Sequence, residues 1–454
     1  MTLPTDSDTI AAPATPPGSG GVAVVRLSGN AAEKIAIRVA GEITPPRQAS
    51  LRNFRDAEGC RIDQGLLIYF PGPASFTGED VVEFHCHGGP IVVDLLLQTL
   101  LQAGARFAQP GEFSRRAFLN GRMDLTQAEA VADLIEAGSV QAARAAVRSM
   151  RGEFSKQVHT LAEDLLELRV FVEASLDFPD EEIDFLADES VTRRCEALCA
   201  GVDELAATAK QGALLRDGMS VVLAGPPNAG KSSLLNRLTG QETAIVTHLP
   251  GTTRDVLRER ISIDGMPLHV VDTAGLRGDA DLVEAEGIRR ARREIETADR
   301  VLLVVDASAA LADTEGADAM ADLPDKAACT IIRNKIDLTG EEPGLVQRED
   351  GVAVLAVSAL TGSGLAALRA HLSSIVGYEP HAGASLSART RHIDALRQAG
   401  MRLQEARSRL AGGHSPEIVA EELRLAHQSL GEITGEISSE DLLGRIFSSF
   451  CIGK

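Results

Sequence analysis

The sequence predicts a multidomain chain of α/β plus α class: a β-rich first domain, an all-α helical domain, and an α/β domain inserted into the helical one. Three observations predict it. Short β-prone runs separated by Gly/Pro turns fill the first 120 residues. Apolar residues at helical spacing recur in two blocks more than 200 residues apart. Between those blocks, from about Leu215 to Gly377, strands alternate with helical patterns. At 454 residues the chain is long enough for about three domains, each with its own core.

In the first block Val22 to Leu27, Leu66 to Phe70 and Val81 to His85 are the β-prone runs, cut by turns such as PGPASFTGED. Pro90 then opens IVVDLLLQTLLQAG, which ends at Gly104, so proline and glycine stand where a helix starts and stops. Further on, Val158, Leu161, Leu165, Leu168 and Val172 lie three and four apart, on one face of a helix. The period returns in Leu396, Leu403 and Leu410, and in Val419, Leu423, Ala426 and Leu430. The expected division is 1–120, 121–215 (first helical part), 216–378 (insert) and 379–454 (second helical part). Within the insert, the Ala- and Asp-rich stretch from Ala309 to Leu323 looks least ordered. No internal repeat is present.

Composition narrows the class. Hydrophobic residues make up 44% of the chain and mean hydropathy is near zero. No run nears the roughly 18 apolar residues of a membrane span, and MTLPTDSDTI lacks the basic-then-apolar pattern of a secretory signal. A cytoplasmic protein with no membrane association is expected. The cysteines at 60, 86, 195, 199, 329 and 451 follow no disulfide-framework spacing. A net charge of −20 argues against broad non-specific nucleic-acid binding, though a local patch can still hold an RNA. Aromatics are 3% with no tryptophan, so no base-stacking platform is evident.

The insert carries the chemistry. SVVLAGPPNAGKSSLLNRL reads as strand, glycine-rich turn and helix start, and fits G-x-x-x-x-G-K-[ST] from Gly225 through Gly230, Lys231 and Ser232. Backbone N–H groups of such a loop surround phosphate oxygens, helped by the positive end of the next helix. Lys231 supplies a point charge to the β- and γ-phosphates, and the Ser232 hydroxyl can ligate Mg²⁺. HVVDTAG puts Asp272 where a carboxylate can hold the metal's hydration shell, and Gly275 where an N–H can sense the γ-phosphate. In TIIRNKID, Asp337 can accept two hydrogen bonds from guanine N1–H and the 2-amino group. Asn334 bonds nearby and Lys335 can lie over the ring. Adenine lacks both donors and would leave the carboxylate unpaired, a mismatch worth about 10⁴-fold. VSALTG follows, with the backbone of Ser358, Ala359 and Leu360 suited to the guanine oxygen. Four elements in this order specify GTP rather than ATP. The residue after D-x-x-G is Leu276, where many small GTPases have a water-orienting glutamine, so hydrolysis needs another group. TAIVTHLPGTTRD offers Thr252 and Thr253 for a switch loop.

Beyond these motifs, the chain resembles one family nearly end to end: the tRNA uridine-5-carboxymethylaminomethyl modification GTPases of the MnmE (TrmE) family. The resemblance rests on ATPPGSGGVAVVRLSG, FTGEDVVEFHCHGGP, PGEFSRRAFLNGRMDLTQAEAVADLI, DFPDEEIDF, the nucleotide motifs and the terminus LLGRIFSSFCIGK. It implies an N-terminal tetrahydrofolate-binding and dimerisation domain and a Ras-like P-loop GTPase domain inserted in a helical domain. It further implies a homodimer through the first domain and a heterotetramer with the FAD-dependent partner MnmG (GidA). Together these add an aminomethyl-type group at C5 of the wobble uridine of certain tRNAs. The one-carbon unit would come from 5,10-methylenetetrahydrofolate or 5-formyltetrahydrofolate.

Residue by residue, the resemblance implies GTP contacts from Gly225, Asn228, Ala229, Gly230, Lys231, Ser232 and Ser233. Others would come from Thr247, Thr252 and Thr253, from Asp272, Thr273, Ala274 and Gly275, and from the guanine-reading residues above. It implies Mg²⁺ on Ser232 and Thr253, and K⁺ on Asn228, Thr247, Leu249 and Thr252, the cation filling the role of an arginine finger. His248 and Pro250 stand where an acidic residue and alanine are frequent in the family. Glu284 falls at the water-orienting acid. Folate contacts fall on Arg26, Glu83, Arg122 and Lys454. Cys451 reads in three ways: a poor C-a-a-X box, a buried inert thiol, or, by the resemblance, a functional thiol near the folate site. His85, Cys86 and His87 lack further ligands at metal spacing and read as a strand edge. Cys195 and Cys199, four apart, read as helix core. The alternative function is a GTPase switch in ribosome assembly or signalling, but neither a KH-type loop nor a basic stretch is present.

Overall fold

Short β-branched runs between glycine turns set the first part of the molecule. In the computed structural model, which describes residues 8–177, 189–239, 258–272, 295–309, 329–379, 386–412, 416–437 and 439–453, they form a six-stranded sheet. Its strands are β1 (Ile10–Pro13), β2 (Gly20–Ser28), β3 (Ser50–Arg55), β4 (Arg61–Phe70), β5 (Val81–Gly88) and β6 (Arg106–Phe107), in the order β3-β4-β5-β2-β1-β6. Alternation sends Val25, Leu27, Phe54, Leu67 and Phe84 to one face, where α1 (Ala32–Ala40) and α2 (Pro90–Gln102) cover them. Pro90 is the first residue of α2, and Gly104 beyond its end takes a positive φ. The other face carries Leu51 opposite Leu66 and Leu66 opposite His85, and both leucines are exposed.

After α3 (Glu112–Leu119) come four helices: α4 (Leu125–Glu136), α5 (Val140–Met150), α6 (Glu153–Asp177) and α7 (Glu189–Asp217). Ser139 caps α5 by accepting a hydrogen bond from the Ala142 amide at 3.1 Å. The heptad-like positions predicted in α6 are buried at Val158, Leu165, Leu168 and Val172.

The α/β insert follows directly. It comprises β7 (Met219–Ala224), α8 (Lys231–Thr239), β8 (Arg258–Ile263), β9 (Met266–Asp272), β10 (Arg300–Asp306), β11 (Cys329–Asn334), α9 (Ile336–Thr339), β12 (Gly344–Gln347), β13 (Ala353–Ala356) and α10 (Leu365–Val376). The seven strands run in the order β12-β13-β11-β10-β7-β9-β8, with β13, β11, β10, β7 and β9 mutually parallel. Val221, Leu223, Val270, Leu302, Val304, Ile332 and Leu355 fill the core under α8 and α10. These parallel strands are near-continuous apolar runs, as burial on both faces demands. The order changes direction around β7 and β10, and ligands of open α/β sheets bind outside the strand ends at such a place.

The helical domain resumes in α11 (Thr390–Ala411), which packs along α7, and continues in α12 (Pro416–Thr434) and α13 (Glu440–Ser448). Leu396, Leu403, Val419, Leu423, Ala426 and Leu430 are all buried. The chain thus divides into two compact units. The first takes residues up to Ala132, Val158–Ala162 and the segment from His427 onward. The second takes Asp133–Gln157 and Glu163–Ala426. Among the described residues, no helix is long and apolar enough to cross a membrane. Most of the Ala309–Leu323 stretch lies outside the described residues, as does DFPDEEIDF beyond Asp177.

Candidate nucleotide-binding site

The phosphate loop lies between β7 and α8, and its backbone explains its residues. Gly225 has φ +133°, and a Cβ there would strike the Val304 carbonyl of β10, so only glycine lets the loop leave the sheet at this point. Asn228 adopts the left-handed region at φ +64°, and Gly230 follows at +92°. Ala229 is buried, whereas Ser232 and Ser233 are exposed in the first turn of α8. Lys231 folds back over the loop, its Nζ donating to the carbonyls of Gly225 and Pro226, each at 2.8 Å. The ammonium is thereby held by weak neutral acceptors that phosphate oxygens can outbid through charge.

The segments predicted to read guanine stand at the ends of β11 and β13. Asn334 is 1% exposed and uses both ends of its amide. Nδ2 donates to the Ala229 carbonyl at 2.9 Å, and Oδ1 accepts from the Ala359 amide at 3.0 Å. One buried side chain therefore ties the phosphate loop to the loop after β13. Asp337 is exposed, and its Oδ1 accepts a hydrogen bond from Ser358 Oγ at 2.5 Å. Ser358 Oγ in turn accepts from the Thr361 amide at 3.1 Å. This chain of hydrogen bonds orients the carboxylate. Leu360 is exposed beside it.

Lys335 sits at φ +70° at the start of α9, and its Nζ reaches Asp306 Oδ2 at 2.6 Å. Sequence reasoning missed Asp306. Its only trace is an acidic residue closing the apolar run RVLLVVD. The Lys335 ammonium, with the Ser308 hydroxyl on the other oxygen, brings the Asp306 carboxyl down to about 2.

Asp272 ends β9 opposite Leu223 of β7, next to the phosphate loop in the sheet; its side chain lies outside the described residues. Thr247, Leu249, Thr252, Thr253, Thr273, Ala274, Gly275, Glu284 and Lys454 lie outside them too.

A second cluster lies in the first unit. Arg26 and Glu83 are cross-strand partners on β2 and β5 and form an ion pair, with Nε–Oε1 at 3.0 Å and Nη2–Oε1 at 2.9 Å. The guanidinium also lies over Phe76 and Phe113, 5.2 and 5.7 Å from the ring centroids. Phe76 belongs to the Pro71–Asp80 loop, whose Gly78 lies against the side chains of Asn120 and Arg122. Arg122 is exposed. The C-terminal segment closes on the same region: the Gly111 amide donates to the Cys451 carbonyl at 3.4 Å, and Gly453 abuts the Pro13 carbonyl. Pro13 pairs with Val25, the residue before Arg26. Cys451 is exposed, so the buried-thiol reading of that residue is wrong. Its chain neighbour Phe450, not Cys451, fills the pocket beneath, with Phe447 and Leu125.

Among the described residues no group of His, Cys, Asp and Glu is arranged to hold a metal. His85 contacts Glu83 at 3.4 Å and His87 contacts Asp63 at 2.8 Å, while Cys86 is buried between them. Cys195 and Cys199 are buried in α7, and burial pushes the Cys195 thiol up to about 12.

Residues 9–122 match the family model described as the GTP-binding protein TrmE N-terminus, and residues 125–451 match that of the MnmE helical domain. A relative from Stutzerimonas stutzeri (strain A1501), named tRNA modification GTPase MnmE, is 58% identical over 98% of this chain and 99% of its own. One of the same name from Pseudomonas aeruginosa (strain UCBPP-PA14) is 56% identical over 99% of both chains. Among solved structures, the G domain of the T. maritima FeoB iron transporter is 25% identical, covering 35% of this chain and 98% of that one, at a TM-score of 0.26. So low a TM-score carries no weight, and the GTPase fold stands on the strand order and loop geometry above. Two adjoining family models and full-length relatives above half identity agree with the four nucleotide motifs: this chain belongs to the MnmE family of tRNA modification GTPases and is a GTP hydrolase.

Proposed function

We propose that this GTPase, with the FAD-dependent partner MnmG (GidA), adds an aminomethyl-type group at C5 of the wobble uridine of certain tRNAs, taking its one-carbon unit from a folate. The observation that carries the reading is the approach of the C-terminal segment to the Arg26–Glu83 pair: an exposed thiol at 451 lies on a segment that runs against β1 and Gly111. An arginine lying over two phenyl rings, on a strand next to the one the C-terminal segment meets, suits a ligand with an aromatic ring system and anionic carboxylates. Arg26, Glu83, Arg122 and Lys454 are the proposed folate contacts. The exposed Leu51–Leu66 row on the outer sheet face supports a homodimer through this domain. The functional division we assign is 1–120 for folate binding and dimerisation, 216–378 for GTP, and 121–215 with 379–454 for the helical scaffold. The flavoprotein, its FAD and the heterotetramer rest on the family resemblance.

At the nucleotide site, Lys231 exchanges its two loop carbonyls for phosphate oxygens while the loop amides from Asn228 to Ser233 point at the same charge. The oxygen donors Ser232 and Thr253, with Asp272 nearby, are of the hard type that Mg²⁺ takes, and Ser232 is open to solvent. Asn228, turned into the left-handed region, and the carbonyls of Thr247 and Leu249 with Thr252 are the proposed K⁺ donors. Bound there, the two cations supply positive charge to the departing phosphate. Glu284 orients the attacking water, in place of the glutamine that Leu276 replaces.

Nucleoside analysis of tRNA from cells lacking the gene, with and without this chain restored, tests the reading. The modified wobble-uridine side chain is expected to vanish and return. Unchanged nucleosides in the deletion strain would leave a ribosome-assembly or signalling switch as the better account.

A further inference from the structure

We propose that Asp133 is a positioning residue for tRNA modification: it locks the two chain segments that enter and leave the G domain onto α4, so that nucleotide-driven movement of the G domain reaches the helical domain. Its carboxylate is 5% exposed and has three partners. Oδ1 accepts from Arg216 Nε and from Arg389 Nη2, each at 2.8 Å, and Oδ2 accepts from Ser387 Oγ at 2.6 Å. Arg216 is in the last turn of α7, three residues before β7 begins. Ser387 and Arg389 immediately precede α11. One carboxylate therefore clasps both crossings between the helical domain and its insert.

Two further observations make the clasp rigid. The returning segment lies directly on α7: a Cβ at Gly212 would strike the Leu386 carbonyl oxygen. Ser149 Oγ of α5 also donates to the Ser387 carbonyl at 3.1 Å. The β8–β9 hairpin is anchored on the same platform. Its turn at Asp264 and Gly265, both at positive φ, packs Gly265 against Gln141 of α5. The Asp264 carbonyl accepts from Tyr378 Oη at 3.1 Å, and His269 Nε2 is 3.1 Å from the Asp217 carbonyl. From that turn β9 runs about 23 Å at 3.3–3.4 Å per residue to Asp272, beside the phosphate loop.

The ordering of GTPase segments by a γ-phosphate is a small local change that needs a stiff path to act elsewhere. A buried carboxylate shared by two guanidinium groups has one satisfied arrangement, because parting any member leaves charge unpaired in a poorly solvated site. It resists bending where an apolar contact would slide. Asp133 holds Arg216 before the start of β7, whereas the phosphate loop leaves that strand's other end, so loss of Asp133 is expected to act on transmission rather than on the GTP site.

The inference rests on the tRNA-modification reading. The test introduces Asp133→Asn and, as a milder change that removes only the Oδ2 bond, Ser387→Ala into the full chain. Each variant is assayed for basal GTP turnover and KM, melting temperature, and restoration of the modified wobble uridine in the deletion strain. GTP kcat and KM are expected within twofold of the parent. Modified nucleoside is expected to fall at least tenfold in Asp133→Asn and two- to threefold in Ser387→Ala. Full restoration by Asp133→Asn would overturn the proposal, and so would a parallel loss of turnover, melting temperature and modification, which marks a residue that only supports the fold. If the parent chain itself restores nothing, the tRNA-modification reading falls first and takes the inference with it.

Discussion

Asn334, Asp337 and Asp306 have separate parts in the proposed base site. Asn334 joins two loops from inside; removing its amide would leave the Ala229 carbonyl and the Ala359 amide unpaired, at about 1–3 kcal/mol for each buried group. Asp337 faces solvent with one oxygen committed to Ser358, so Asp337→Asn is expected to reverse the donor–acceptor match and shift preference from GTP toward xanthosine triphosphate, read by competition binding. Asp306 holds Lys335, which is expected to lie over the base. Its depressed carboxyl means the pair is complete above the ordinary carboxylate pKa of 3.8 and is lost only as pH falls toward about 2, so at neutral pH it is fully formed. Asp306→Asn is expected to weaken GTP binding about fivefold, the worth of roughly 1 kcal/mol for a partly exposed pair, with kcat unchanged. Equal GTP affinity in isothermal titration would remove Asp306 from the site. Glu284→Ala is expected to do the opposite, cutting turnover by about a hundredfold or more while affinity stays within twofold. Losses of similar size in both would show that Glu284 does not act on water. The strand, glycine-rich loop and helix around Gly225 and Gly230 were legible because such a loop demands fixed residue types at fixed spacings. Asp306 and Asp133 were not, because each is defined by a partner 29 or more residues away in sequence, and a lone aspartate after an apolar run has many uses.

Helices and strands were legible where one face is buried, since a 3.6 or 2.0 period then has to appear in the residues. Leu396, Leu403 and Leu410 marked α11, and the apolar run before the glycine-rich loop marked β7. What periodicity does not carry is which helix lies against which, so the pairing of α7 with α11, between segments some 200 residues apart, came only from the structure. Gly212 records that pairing in a single residue. In an isolated helix, Gly212→Ala would favour folding by about 1 kcal/mol. Here the added methyl meets a backbone carbonyl that cannot rotate away, so the segment before α11 must shift. A net loss of about 1–3 kcal/mol is expected from overpacking. Urea denaturation reads the sign directly: a variant more stable than the parent would mean that the close approach of Leu386 to α7 is not kept in solution.

At the level of the whole chain, two units with separate cores imply two ligand responses. Phe54, Phe84 and Leu96 belong to the core of one unit, and Leu223, Leu268 and Leu302 to that of the other. Unfolding of such a chain need not be a single all-or-none step. A ligand that binds only the folded form stabilises the unit that holds it by RT ln(1 + [L]/Kd), about 2.7 kcal/mol at a hundredfold excess over Kd. For a unit of this size each kcal/mol moves the midpoint by roughly 2–4 °C. GTP is therefore expected to raise the transition of the unit containing the phosphate loop by about 5–10 °C. ATP at the same concentration should leave it in place, because adenine offers Asp337 no donor pair. A 5-formyltetrahydrofolate addition is expected to act on the other transition, since Arg26, Glu83 and the Cys451 segment all lie in the first unit. Scanning calorimetry with each ligand alone and then both separates the cases, and independent sites require the two shifts to add. A midpoint raised as far by ATP as by GTP would remove the guanine assignment; a folate that moves only the GTP-responsive transition would detach the folate site from the first unit.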